Sequence, residues 1–306
     1  KKNDVFFAIK GKKKDGNLFV KEAIKKGASL VVVNKLQKTL KQIKVKDTLG
    51  FLTEASSILR NNTSSKIIAI TGSCGKTSLK ELIGKTLNKI CNTTYSPKSF
   101  NNKFGVPLSL FNLKKNDAFG IFEIGMDKKG EIDFLSKIIK PDLGVITNVS
   151  YAHAKNFKNI KEIALAKSEI IKNIKDNGTL ILNADDKFYQ LHKKIGEKRK
   201  LKIYSFSINK KSSRVNLDCI KKEKQKYKIF INIDNTKKYF YFKSKFENDV
   251  KNLLASVSII SVFKDIKKIN SNIFYDHKTT NARGDISRIK IFKKHIYLVD
   301  ESYNSN

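Results

Sequence analysis

Ile67-Ile-Ala-Ile-Thr-Gly-Ser-Cys-Gly-Lys-Thr-Ser78 carries a β-branched run into a glycine-punctuated turn, and Leu79-Lys-Glu-Leu-Ile-Gly-Lys-Thr-Leu87 follows with helical spacing. A strand turning tightly into a helix aims backbone N–H groups and the positive end of the helix dipole at one point, which makes a phosphate cradle. Gly72, Ser73, Cys74, Gly75 and Ser78 would line it, Lys76 would reach the outer phosphates of a nucleotide, and Thr77 would meet a magnesium ion. The stretch therefore reads as an ATP site. The spacing G-x-x-x-x-G-K-[ST] is not met, because Ile70 stands where its first glycine would be and only Ser73 and Cys74 separate Gly72 from Gly75.

Upstream, Val5 to Ile9 reads as a strand, Leu18 to Lys26 as a helix closed by Gly27, Ser29 to Val33 as a buried strand and Thr48 to Leu59 as a further helix. This predicts a small N-terminal α/β domain. Its loop Lys10-Gly-Lys-Lys-Lys-Asp-Gly16 reads by itself as a solvated turn, with a diphosphate contact as the alternative. Arg60 to Lys66 is a polar linker, and the domain boundary belongs there.

Downstream, Ser96 to Leu108 is a loop with paired amides, and Ala118 to Gly125 is a strand with Glu123 near its carboxyl end. Ligands of open parallel sheets sit at the carboxyl ends of strands, so Glu123 is a candidate magnesium ligand. Asp142 to Asn148 is the next strand and Ser150-Tyr-Ala-His153 the turn after it. A lone histidine is usually structural, yet His153 falls at the same strand end as Glu123. Asn159 to Ile174 is a helix carrying Lys167 and Glu169, and Gly178 to Asp186 a strand ending in polar residues. Alternating strands and helices predict a doubly wound, mostly parallel sheet. Between Leu201 and Lys245 strand-rich stretches predict an antiparallel patch, and Asn248 to Phe263 is a helix. Ile296 to Asp300 is a strand with no partner expected in this chain.

A chain of 306 residues suggests two domains and part of a third. It starts at Lys1 and stops at Asn306 directly after an apolar run, so a piece of a longer protein is expected. No apolar run approaches the roughly eighteen residues of a membrane span and no leader is recognisable, so a cytoplasmic location is expected. Three widely spaced cysteines argue against a disulfide framework or zinc site. The formal charge of +35 would ordinarily suggest nucleic acid, but the surplus is nearly all scattered lysine without aromatic interleaving. No nucleic-acid partner is expected; a basic nucleic-acid-binding ATPase is the rival from another class.

Taken together these residues resemble the Mur ligase family, almost end to end. Thr71 to Ser78 is similar to that family's shortened phosphate loop, which accounts for the missing glycine. Phe100-Asn-Asn-Lys-Phe-Gly-Val-Pro-Leu108 resembles a segment of the branch that adds D-alanyl-D-alanine, and Asp300-Glu-Ser-Tyr-Asn-Ser-Asn306 resembles its D-x-S-Y-N-x-N signature. The sister branch, which attaches the third amino acid, typically has D-Y-A-H there and is the alternative within the family.

The resemblance implies three domains. Residues 1 to 62 would bind the UDP substrate, 63 to 283 would be a P-loop ATPase domain, and 284 to 306 would begin a C-terminal α/β domain otherwise absent from this chain. It implies ATP and Mg2+ as cofactors, with metal-binding roles for Thr77, Glu123, His153 and Lys167, the last carbamylated. Lys76, Lys167 and His153 would serve catalysis. Asn183, Asp186, Asn252, Arg283 and Asp300 would lie at the nucleotide, although Asn248 and Asp249 depart from the family's H-N-x-x-N. Lys10, Gly11, Asp15 and Gly16, with Asn17 where the family has histidine, resemble its UDP-binding loop, and Asn101 and Asn102 would meet substrate. The implied substrates are UDP-N-acetylmuramoyl-tripeptide and D-alanyl-D-alanine, handled by a monomer. A carboxylate oxygen of the peptidyl substrate would attack the γ-phosphorus of ATP, and the dipeptide amine would then displace phosphate from the acyl phosphate.

Overall fold

The computed structural model describes residues 3–11, 13–36, 41–151, 154–234, 236–277, 285–292 and 294–300. The chain divides into two compact units, Lys1–Thr63 and Ser64–Asn306.

In the first unit β1 (Val5–Phe7) is followed by a 3-10 turn (Gly16–Phe19), α1 (Val20–Lys25), β2 (Leu30–Val33), β3 (Gln42–Lys44) and α2 (Thr48–Asn61). The three strands form a parallel sheet in the order β1, β2, β3. Ala8, Val20, Val31 and Val33 form its core. Asp47 caps α2 by accepting from Leu49 N at 2.9 Å, and Thr48 Oγ1 donates to Ala8 O at 3.0 Å, tying helix to sheet. The helix outruns its expected end. Arg60 lies within it and is buried, so the polar linker is shorter than the composition suggested.

The second unit begins with β4 (Lys66–Thr71), α3 (Lys76–Asn88), β5 (Thr93–Tyr95), α4 (Gly105–Leu110), β6 (Phe119–Glu123), α5 (Glu131–Ile139) and β7 (Leu143–Ile146). After these come α6 (Ile160–Lys172), β8 (Thr179–Asn183), α7 (Tyr189–Lys198), β9 (Lys202–Ser207), β10 (Val215–Glu223), β11 (Lys226–Ile233), β12 (Thr236–Phe242) and α8 (Glu247–Phe263). Nine strands form one sheet in the order β12, β11, β10, β9, β8, β7, β4, β6, β5. Pairing is parallel from β5 through to β10 and antiparallel among β10, β11 and β12, giving the doubly wound sheet and the antiparallel patch. Alternate residues of β4 serve opposite faces: Ile68 and Ile70 join the layer with Leu79, Leu82, Leu253 and Leu254, whereas Ile67 and Ala69 pack with Leu135, Ile163 and Ile170. From β4 the chain runs to β5 and β6 on one side of it and then to β7 on the other, so the strand order switches direction beside β4, where such sheets open a crevice.

Two expectations are corrected. The loop from Ser96 to Leu108 ends in α4, which tolerates Pro107 because a first-turn residue needs no intrahelical donor. The strand near the chain's end has a partner after all: β13 (Asp285–Ile291) pairs antiparallel with β14 (Lys294–Asp300), from Asp285 with Asp300 to Ile291 with Lys294. Arg288 and Lys290 break the apolar pattern of β13, which hid it; cross-strand backbone bonds form regardless of the side chain.

Among the described residues no helix is long and apolar enough to cross a membrane, and Cys74, Cys91 and Cys219 are not in disulfides.

Candidate nucleotide and metal site

The turn between β4 and α3 is built around two glycines in positive-φ conformations. Gly72 has φ +150°, and a Cβ there would lie 1.9 Å from Thr147 Oγ1; Gly75 has φ +82°. Close approach of Gly72 to the end of β7 lets the two segments lock together. Thr147 Oγ1 donates to Cys74 O at 2.7 Å, Ser73 N to Asn148 O at 3.0 Å and Cys74 N to Asn148 Oδ1 at 2.9 Å. Ser73 Oγ donates to Ser150 O at 3.0 Å and accepts from Ser150 N at 2.8 Å. Two of the loop's amides thus face Asn148, and the amino-terminal turn of α3, whose N-cap Gly75 provides no side-chain cap, is the part of the loop that could meet an anion. Lys76 Nζ donates to Gly72 O at 2.8 Å and Ser73 O at 3.1 Å, arching over the turn.

Behind the helix start, Thr77 Oγ1 donates to Glu123 Oε2 at 2.7 Å and lies 3.4 Å from Ser99 Oγ. Asn101 Nδ2 donates to Glu123 Oε1 at 2.8 Å, and Glu123 N to Ser96 Oγ at 3.3 Å. Glu123 is 1% exposed, and among the described residues no lysine or arginine pairs with it. A buried carboxylate oriented by neutral donors and touching a hydroxyl suits a hard divalent cation such as Mg2+. Among the described residues no group of three His, Cys, Asp or Glu gathers to hold a metal. His153 and Arg283 lie outside the described residues, as do the residues of the terminal signature beyond Asp300, which is the last residue of β14.

Lys167 projects from α6 into the same region. It is buried. Burial, assisted by the positive charge of Lys76 and opposed by Cys74 and Asp186, pushes its pKa down to about 7. A sizeable neutral-amine fraction then exists near pH 7.

Other expected contacts have structural work. Asp186 accepts from Val149 N at 2.8 Å and Phe188 N at 2.8 Å, holding the β7 turn that in turn holds the phosphate loop. Asn183 Oδ1 accepts from Asp185 N at 3.0 Å. Asn102 Oδ1 accepts from Phe104 N and Gly105 N, both at 3.0 Å, starting α4. On α8, Asn252 reaches the phosphate loop, its Oδ1 lying 3.4 Å from where a Cβ of Gly75 would be. Asp249 instead accepts from Ser244 Oγ, and burial raises its pKa. Lys80, Ser96, Ser99, Thr147, Asn148 and Ser150 joined the site only in the fold; the one sequence signal was Lys80, a charge interrupting the apolar stripe Leu79, Leu82, Ile83, Leu87.

In the first unit the basic loop is tightly made. A backbone β-bridge pairs Lys10 with Asp15, Gly11 N donates to Lys14 O at 2.9 Å, and a Cβ on Gly16 would lie 2.5 Å from Ile9 N. Asp15 Oδ1 accepts from Asn17 N at 2.9 Å and Asn17 Nδ2 at 2.6 Å, which lowers its pKa. Asn17 Nδ2 also donates to Asn34 Oδ1 at 2.6 Å.

Residues 70–260 match the Mur ligase middle domain. The chain is 33% identical over 308 aligned positions to the UDP-N-acetylmuramoyl-tripeptide--D-alanyl-D-alanine ligase of Buchnera aphidicola subsp. Baizongia pistaciae, covering 99% of this chain and 65% of that protein. Its fold is similar to that of MurF from Acinetobacter baumannii, with a TM-score of 0.87 at 26% identity over 100% of this chain and 66% of the other. MurF ligase from Thermotoga maritima in complex with ADP gives a TM-score of 0.84 at 26% identity over 100% of this chain and 69% of the other. The chain thus spans less than two thirds of the length of the Buchnera relative.

Proposed function

The chain belongs to the Mur ligase family, and from that premise we propose that it forms the UDP-substrate and ATP-binding parts of a ligase joining D-alanyl-D-alanine to UDP-N-acetylmuramoyl-tripeptide in peptidoglycan precursor synthesis. Residues 1 to 62 would hold the UDP moiety through Lys10, Gly11, Asp15 and Gly16, residues 63 to 283 would hold ATP, and residues 284 to 306 would begin the acceptor-side domain. The enzyme would be cytoplasmic and act as a monomer.

The observation that carries this reading is the side-by-side placement of an uncapped α3 amino terminus under Lys76 and the buried Thr77–Glu123 pair. The first meets phosphate oxygens. The second, with Lys167 and His153, would hold Mg2+, which when bound offsets negative charge on the nucleotide phosphates. Lys76 moves from the carbonyls of Gly72 and Ser73 to the phosphates, neutralising charge as the peptidyl carboxylate attacks the γ-phosphorus and ADP leaves. The dipeptide's neutral amine next attacks the acyl carbon, the C–O bond to phosphate breaks, the nitrogen gives up a proton to the departing phosphate, and the amide remains. Lys167 works as a carbamate: its neutral amine adds carbon dioxide and releases a proton, replacing a cation that would repel metal by an anion.

The test is phosphate release from ATP by the full-length protein given UDP-N-acetylmuramoyl-tripeptide and either D-alanyl-D-alanine or a single amino acid. Release that depends on the dipeptide is expected; release that depends instead on the single amino acid would move the protein to the sister branch.

A further inference from the structure

The face of α3 that begins at Lys76 continues at Lys80 and Gly84, one turn apart each time. Gly84 admits the ring of Tyr95, which would lie 2.6 Å from a Cβ there. Lys80, between them, is a lysine with 0% exposure. Its ammonium donates to Ser96 O at 2.6 Å and to Lys98 O, and lies 3.0 Å from Glu81 Oε1. Burying an ammonium this completely is costly unless every donor is met, so its three partners hold one another in place.

In the segment it grips, Lys98 has φ +48°, a left-handed conformation uncommon for a residue with a side chain. From this segment come Ser96 Oγ, Ser99 Oγ and Asn101 Nδ2, the groups that touch Glu123 and Thr77. We propose that Lys80 is a positioning residue: by clamping the carbonyls of Ser96 and Lys98 it sets the loop that orients the Glu123 carboxylate toward the incoming nucleotide. Its contacts are Ser96 O, Lys98 O and Glu81 Oε1, so it acts through the loop. The clamp itself is independent of what the site binds; its link to Mg2+ rests on the nucleotide reading above.

The experiment compares wild type and Lys80→Met, which keeps length and apolar volume while removing the charge and donors. Hydrogen exchange without nucleotide reads the clamp. Protection of the Phe100, Asn101 and Glu123 amides is expected to fall at least about tenfold while Val145, in β7, is unchanged, since a buried charge-assisted bond is worth that much in local opening. Unchanged protection at those three amides would overturn the inference, as would equal loss at Val145 or loss of the cooperative fold, either of which assigns Lys80 to general stability. Calorimetric titration with ADP, with Mg2+ and with EDTA, reads the consequence. Lys80→Met is expected to retain metal-free affinity and lose most of the tightening by Mg2+, whereas equal Mg2+ dependence in both proteins would sever the clamp from the metal site. Should wild type bind no ADP, the nucleotide reading fails while hydrogen exchange still decides the clamp.

Discussion

Thr77 Oγ1 and Glu123 Oε2 stand 2.7 Å apart, although one opens α3 and the other closes β6. Their meeting depends on β4 pairing with β6 so that Ile70, just before the phosphate loop, lies opposite Glu123. That register brings a hydroxyl and a carboxylate together at the foot of the proposed nucleotide site.

Glu123→Gln tests the pair. The amide keeps the shape and can still accept from Asn101, so the fold should survive, but the charge that attracts a divalent cation is gone. Titration with a fluorescent ATP analogue should show metal-free binding within about threefold of wild type. Tightening by Mg2+ should shrink by about tenfold or more. Full retention of Mg2+-dependent affinity would remove Glu123 from the metal site.

Gly72→Ala should be strongly destabilising. Its methyl would fall 1.9 Å from Thr147 Oγ1, and the residue's φ of +150° already disfavours a side chain. Overpacking and backbone strain together put the cost at about 2–4 kcal/mol. Urea denaturation reads it, and a loss under about 0.5 kcal/mol, the scale of an ordinary surface change, would contradict this turn geometry.

Lys167 makes stability depend on pH. Its folded pKa of about 7 lies below the ordinary 10.5, so between those values the unfolded chain binds the extra proton and stability rises with pH. Below about pH 7 both states carry the proton, and the full penalty of a buried ammonium applies. Lys167→Met should therefore be more stable than wild type by a few kcal/mol at pH 6 in carbon-dioxide-free buffer, the difference narrowing toward pH 10. A constant difference across that range would show that the amine titrates normally.

Cys74 and Cys219 are both exposed, but only Cys74 sits in the phosphate loop. Mg-ATP should slow alkylation of Cys74 by iodoacetamide by about tenfold at saturating nucleotide and leave Cys219 unchanged, as mass spectrometry of the labelled peptides can read. Equal protection at both thiols would point to a global effect of nucleotide.

The sequence by itself determined what is local. A β-branched run, two glycines and a helical repeat specify strand, turn and helix wherever they lie, so the phosphate loop, Lys76 and Thr77 were legible without coordinates. Strand-end logic also marked Glu123, because its rule needs only the strand's direction. Lys167 could be named but not its low pKa, which arises from burial on α6 and the nearby charge of Lys76. Asp186 could be placed near the nucleotide by resemblance, yet its carboxylate accepts from the amide of Phe188 beside it and from that of Val149, 37 residues away. Lys80 showed in the sequence only as a charge within the apolar stripe of α3, and its partners, the carbonyls of Ser96 and Lys98, came from the fold; the partner of β14 hid behind Arg288 and Lys290. Tertiary structure decided these because burial, charge proximity and cross-strand register come from contacts distant in the chain, and no local pattern of residue types encodes which distant backbone oxygen an ammonium or amide will meet.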